Sequence, residues 1–186
     1  MSETISLHMC IPLAAVLLAA LTDLKSFKIH NIVSIPLLFS GMAYHAMAHG
    51  WEAFAASLLG ALFGFFVLMP LYIAGGMGAG DVKLLAAVGA WLGLPQTFYV
   101  FVASSLAAGI YALALMTWYQ TGGEIVGNLK IIWHRMKILG RHLAQEDRIE
   151  ETVLRTDRRG RLIPFGAMIA LGLIAIVVWG LLKQGQ

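Results

Sequence analysis

Between two strongly apolar runs the chain reads GGMGAGDVKLL, Gly75 to Leu85. Four glycines, an aspartate and a lysine stand where a hydrophobic helix would otherwise continue, so the reading of this stretch decides how often the chain crosses a membrane. The composition leaves little doubt about the solvent. Of 186 residues, 59% are hydrophobic and 12% charged, against roughly 45–50% and 25% in a soluble domain. Apolar runs fall at 5–22, 32–49, 53–74, 82–94, 96–119 and 162–182. The fourth, VKLLAAVGAWLGL, follows the glycines directly and is shorter than the about 20 residues a helix needs to span hydrocarbon.

Charge decides whether that run crosses. With six crossings, Lys25, Lys28, Lys83, Lys130, Arg135, Lys137, Arg141, Arg148, Arg155, Arg158, Arg159 and Arg161 share one side, and only Lys183 lies opposite. Without the fourth crossing, the basic segment after Tyr119 would lie across the membrane from Lys25 and Lys28, against the positive-inside rule. The sequence therefore predicts an all-α membrane protein with six transmembrane helices in a single domain over 1–186, both termini outside, and a long inner loop over 120–161. The first run has no basic residue before it and reads as a retained helix, not a secretory signal.

The inner loop repeats Ile125, Leu129, Ile132, Met136, Leu139 and Leu143 at helical spacing among Lys130, Arg135, Lys137 and Arg141. That pattern predicts a basic amphipathic helix lying on acidic membrane lipids. The net charge of +3 is thereby assigned to lipid, with no nucleic acid expected. A single cysteine, Cys10, excludes a disulfide framework. His8, His45 and His49 fall toward the outer side and His30, His134 and His142 toward the inner, which does not gather the three ligands usual for catalytic zinc; no metal or cofactor is expected. Gly60 and Gly64 form a GxxxG that predicts close helix packing, and Trp91, Trp118 and Trp179 near span ends read as packing and interface anchors.

Between Ile5 and Tyr119 the acidic residues are Asp23, Glu52 and Asp81. Glu52 sits in an outer turn. Asp23 closes the first span and Asp81 opens the fourth, so both lie near the inner face and can meet. An ionisable group at the edge of an apolar segment is a functional hypothesis by default; the plainer reading makes Asp81 the N-cap of the fourth helix. The glycines favour function, because irregular backbone at that depth must be buried in protein or line a wet cavity. Two carboxyl groups in one site cannot both ionise freely, so one can activate water while the other, protonated, polarises a carbonyl.

These residues resemble a known family. GMGAGDVKLLAAVGAWLG is similar to the GxGD signature of the type IV prepilin peptidases, membrane aspartyl proteases, and Asp23 matches that family's other catalytic aspartate. LIPFGAMIALG, Leu162 to Gly172, resembles the Pro-aromatic-Gly motif opening the family's last helix. The resemblance implies that Asp23 and Asp81 are the catalytic pair and that Gly78 and Gly80 let Asp81 face its partner. Pro164, Phe165 and Gly166 would form a wall of the site, and Lys83 matches the family lysine, with snorkelling to headgroups as its plainer role.

The chain departs from the family at His30, where Ile-Pro-Asn is usual and Ile29-His30-Asn31 stands, and at Ala167, where a second proline is usual. The inner loop after the first helix is short and lacks the cysteines of the long members, so the resemblance implies a peptidase without N-methyltransferase activity. It is similar to the short form of tight-adherence or Flp pilus systems, acting on prepilin or pilin-like precursors at the cytosolic face of a bacterial inner membrane. The alternatives are a small ion-coupled transporter or channel, whose sites usually lie near the bilayer midplane, and a non-enzymatic pilus-assembly scaffold.

Overall fold

The computed structural model describes residues 4–26, 29, 31–73, 77–119 and 164–184. Their regular structure is entirely helical: α1 (Thr4–Ser26), α2 (Asn31–Ile73), α3 (Ala79–Tyr119) and α4 (Phe165–Gln184). The amphipathic helix expected within 120–161 lies outside the described residues, as do Gly75 and Gly76. Asn31–Ile73, Ala79–Leu115 and Phe165–Lys183 are each long and apolar enough to cross a membrane, and the apolar part of α1, Met9–Asp23, is shorter. This is a membrane protein.

At 43 and 41 residues, α2 and α3 would run about twice the thickness of a hydrocarbon core if straight. Neither is. The backbone leaves the helix at Gly50 (φ 78°, ψ −167°) and at Gly93 (φ 73°, ψ 174°), positive-φ conformations that glycine adopts without a Cβ penalty. Pro95 follows the second break, in the first turn of the new arm, where a missing N–H costs no helical bond.

The contacts show that each break is a reversal. Along the 79–92 arm of α3, Lys83 meets Asn31 and Trp91 meets Leu37 and Gly41, so this arm runs with the 31–49 arm of α2. Against the 51–73 arm, Ala90 meets Ser57, Gly89 meets Gly60 and Leu85 meets Gly64, the opposite direction. The two arms of α2 are therefore antiparallel, with the 79–92 arm against both. Gly60 also touches Gly93, and Phe63 faces Phe98 and Phe101 at ring separations of 6.0 and 6.3 Å. Both arms of α3 thus follow the same stretch of α2 away from Gly93.

The 79–92 arm is the centre of the molecule. Leu84, Leu85, Ala87, Val88 and Ala90 are fully buried; Leu84, Leu85 and Val88 pack with Val16, Leu68, Ile169 and Leu173 from the other helices and with Val100 from the second arm of α3, and Ala87 packs with Leu37. Its small residues follow from this position. A Cβ at Gly60 would run into the Gly89 carbonyl and lie 2.7 Å from Gly93 C, the close backbone approach that a GxxxG stripe permits. Trp91 is 3% exposed, stacks on Tyr44 and donates from Nε1 to Leu37 O at 2.8 Å; it is a packing residue and not an interface anchor, because its arm is enclosed by protein. Trp179 stands exposed. His45 Nε2 bonds to Trp91 O at 3.0 Å, and the rings of His45 and His49 meet one turn apart.

Ser57 Oγ, fully buried, donates to Ala90 O at 2.6 Å. Ser57→Ala is expected to lower stability by about 0.5–1 kcal/mol, read as a small fall in the thermal midpoint in detergent.

Candidate active site

Two helix starts and one helix end converge. Pro164 stands immediately before α4, and its carbonyl accepts from Ala167 N at 3.1 Å and Met168 N at 3.3 Å, which opens the helix. The first N–H groups of any helix lack intrahelical acceptors. Here a carboxylate from another helix shares in this capping: Asp23 Oδ2 is a second acceptor for Ala167 N at 3.3 Å, beside Pro164 O, and the Gly166 N–H also faces this carboxyl group. Asp23 lies in the last turn of α1 and is only 5% exposed.

Asp81 lies in the first turn of α3, two residues inside the helix, and not at the cap that the sequence suggested. Its N–H bonds to Gly78 O at 3.3 Å, and its carboxyl group accepts from the Gly78 N–H, the half of a capping box that an acid in the first turn supplies. Capping does not exhaust its capacity. Asp81 Oδ1 is buried and has no hydrogen-bond partner among the described residues. The carboxyl groups of Asp81 and Asp23 lie within electrostatic reach of each other, and the Gly166 N–H faces both. Each therefore faces a helix N-terminus, Asp81 that of its own α3 and Asp23 that of α4.

The glycines serve close approach. The positive-φ glycines among the described residues are Gly50 and Gly93, so neither Gly78 nor Gly80 needs glycine for its φ. A Cβ on Gly80 would lie 2.8 Å from Ile29 Cβ, and one on Gly166 would lie 2.9 Å from Asp23 Oδ2 and 2.7 Å from Ile29 Cδ1. At Gly78 the nearest atom would be Asp81 Oδ2 at 3.7 Å, an ordinary contact.

Asp23, Asp81, Gly78, Gly80 and Gly166 are thus gathered in one place. Pro164 is buried beneath it, and Phe165 packs against the hydrophobic core. Lys83 is directed elsewhere: its Nζ donates to Asn31 Oδ1 at 3.0 Å, tying the start of α3 to the start of α2. The sequence showed Ala167 and Ile29 only as parts of two departures from the family pattern; the contribution of Ala167 is a backbone N–H that no side-chain pattern reveals.

Residues 10–113, which include Asp23 and Asp81, match the model of the type IV leader peptidase family. A prepilin leader peptidase/N-methyltransferase of Aeromonas salmonicida is 37% identical over 108 residues, covering 53% of this chain and 37% of the relative. A protein of the same description from Burkholderia pseudomallei is 33% identical over 112 residues, 53% of this chain and 35% of the relative. Leader peptidase HopD of Salmonella typhimurium is 36% identical over 110 residues, 54% of this chain and 69% of the relative. The chain thus spans little more than a third of the Aeromonas and Burkholderia proteins it matches. No solved structure matches the chain.

Proposed function

Because the chain belongs to the type IV leader peptidase family, we propose that it is an aspartic endopeptidase that removes the short basic leader of type IV or Flp-like prepilins, with Asp23 and Asp81 as its catalytic pair. The observation that carries this reading is the buried Asp81 Oδ1, unpartnered among the described residues and within electrostatic reach of Asp23. A buried polar atom left unpaired costs stability, and such costs persist where a reactant supplies the missing partner.

In the proposed reaction the scissile peptide enters extended between the starts of α3 and α4. One carboxylate takes a proton from water as the water oxygen attacks the carbonyl carbon, and the protonated carboxyl donates to the carbonyl oxygen. The tetrahedral intermediate then collapses: the C–N bond breaks, the departing amine takes a proton from the first carboxyl group, and a hydroxyl of the intermediate returns a proton to the second, which restores both. The carboxyls supply the acid and the base, so no covalent enzyme intermediate is needed. Gly78 and Gly80 keep the approach to Asp81 narrow and free of side chains, and Pro164, Phe165 and Gly166 form the opposite wall.

The topology belongs to the same proposal. α1, the four arms of α2 and α3, and α4 make six crossings of a bacterial inner membrane in one domain, with both termini periplasmic and the site at the cytosolic face. There the loop over 120–161 would rest on acidic lipids, and the basic leader would wait on the cytosolic side. The short link between α1 and α2 favours cleavage without N-methylation. A transporter or channel is less favoured, since Asp23 and Asp81 gather at helix ends. A non-enzymatic scaffold would have no use for an orphaned carboxylate oxygen.

The test is to incubate the purified protein in detergent with pilin-like precursors and follow intact mass. Loss of the leader, with no methyl group added to the new amino terminus, is the expected outcome; a precursor cut by another member of the family but left whole here would overturn the proposal.

A further inference from the structure

We infer that Ile29 is a positioning residue whose side chain sets the spacing of the two carboxyl groups, a role that rests on the catalytic reading above. Ile29 lies in the short link between α1 and α2, half-buried against the core. It reaches both helix starts that build the site. Its Cβ would lie 2.8 Å from a Cβ on Gly80, the residue before Asp81, and its Cδ1 would lie 2.7 Å from one on Gly166. Gly166 in turn abuts Asp23, whose Oδ2 would be 2.9 Å from the same Cβ, and directs its N–H at both carboxyl groups. One side chain is therefore wedged between the starts of α3 and α4, with an aspartate on either side.

Isoleucine suits this place physically. Branching at Cβ restricts χ1, so the branch stays against Gly80 while Cδ1 extends to Gly166, and the side chain acts as a spacer of fixed length. The Lys83–Asn31 hydrogen bond ties the start of α3 to a residue two positions beyond Ile29, which holds the spacer against α3. Shortening it lets α4 close on α3 and carries Asp23 and the Gly166 N–H with it. Acid–base chemistry at a peptide tolerates little of this, since a displacement of about 1 Å can cost about 10²-fold in rate.

The experiment measures kcat and KM for cleavage of a pilin-like precursor by the full chain in detergent. Ile29→Ala is expected to lower kcat about tenfold or more with KM unchanged within about twofold, the signature of geometry lost in the transition state. Ile29→Val, which loses only Cδ1, is expected to lower kcat about threefold. Gly166→Ala should lose about 10²-fold, because the added methyl would meet both Ile29 Cδ1 and Asp23 Oδ2.

A wild-type kcat in Ile29→Ala, or a change confined to KM, overturns the inference. If Gly166→Ala does not fold, the Ile29 variants decide the question alone. Asp23→Asn and Asp81→Asn, assayed alongside, separate this claim from the one beneath it. If both are inactive while Ile29→Ala is as fast as wild type, the spacer role fails and the catalytic pair stands. If both still cleave, the catalytic pair fails and the spacer role with it.

Discussion

Asp81→Asn is expected to reduce precursor cleavage by about 10³-fold or more, and Asp23→Asn to do the same, because each removes a proton donor or acceptor from the transition state. Asparagine keeps the shape and hydrogen-bonding oxygen of aspartate. Asp23→Asn can still accept the Ala167 N–H that Asp23 Oδ2 accepts, and Asp81→Asn can still accept from Gly78 N–H. Both variants should therefore fold, with a thermal midpoint equal to that of the wild type or above it, since each relieves the repulsion of two carboxyl groups in one site. Mass spectrometry of the precursor beside thermal unfolding in detergent reads the two effects separately. Activity above a tenth of wild type in either variant would contradict the pairing, and so would loss of fold accompanying loss of activity.

The second large effect is on folding. At Gly89 a Cβ would meet Gly60 O, lie 2.5 Å from Gly60 C and 3.0 Å from Ala61 N. All three are backbone atoms, so no rotamer relieves the overlap. Gly89→Leu must part α3 from the 51–73 arm of α2 along the seam that centres the molecule, at a cost of about 3 kcal/mol or more. Little folded protein should be recovered by size exclusion in detergent, and what remains should unfold well below wild type. Gly109 supplies the contrast: among the described residues nothing lies within 4 Å of a Cβ there. Gly109→Ala should be neutral or add up to about 1 kcal/mol through helix propensity. If Gly89→Leu behaved like Gly109→Ala, the packing of these arms would be other than described.

Local pattern carried much of this. Six apolar runs, the Gly60–Gly64 stripe and two acids at run ends are one-dimensional signals, because a helix in an apolar setting advertises itself by composition. The reversals at Gly50 and Gly93 leave a fainter trace, single glycines between runs. Other features left no trace that sequence alone could resolve. Trp91 sits where an interface residue would sit, and only its burial against the 31–49 arm of α2 shows it to be interior. Asp81 could be read as a cap or as a reactive group; it has the first role in part, and its unpartnered oxygen argues for the second.

What the sequence by itself determined was the solvent, the helices, and which residues are costly enough in that solvent to demand an explanation: Asp23 and Asp81. Only the tertiary structure decided what surrounds them. The Ala167 N–H on Asp23 comes from a residue 144 positions away, and the closeness of Ile29 to Gly80 and Gly166 depends on where three separate helices end or begin. The physical reason lies in the range of the forces. Burial and helix propensity are summed residue by residue along the chain, so they can be read from it. Hydrogen bonds and steric contacts act over a few ångströms between whichever groups the packed helices bring together, and that pairing exists only once they are packed.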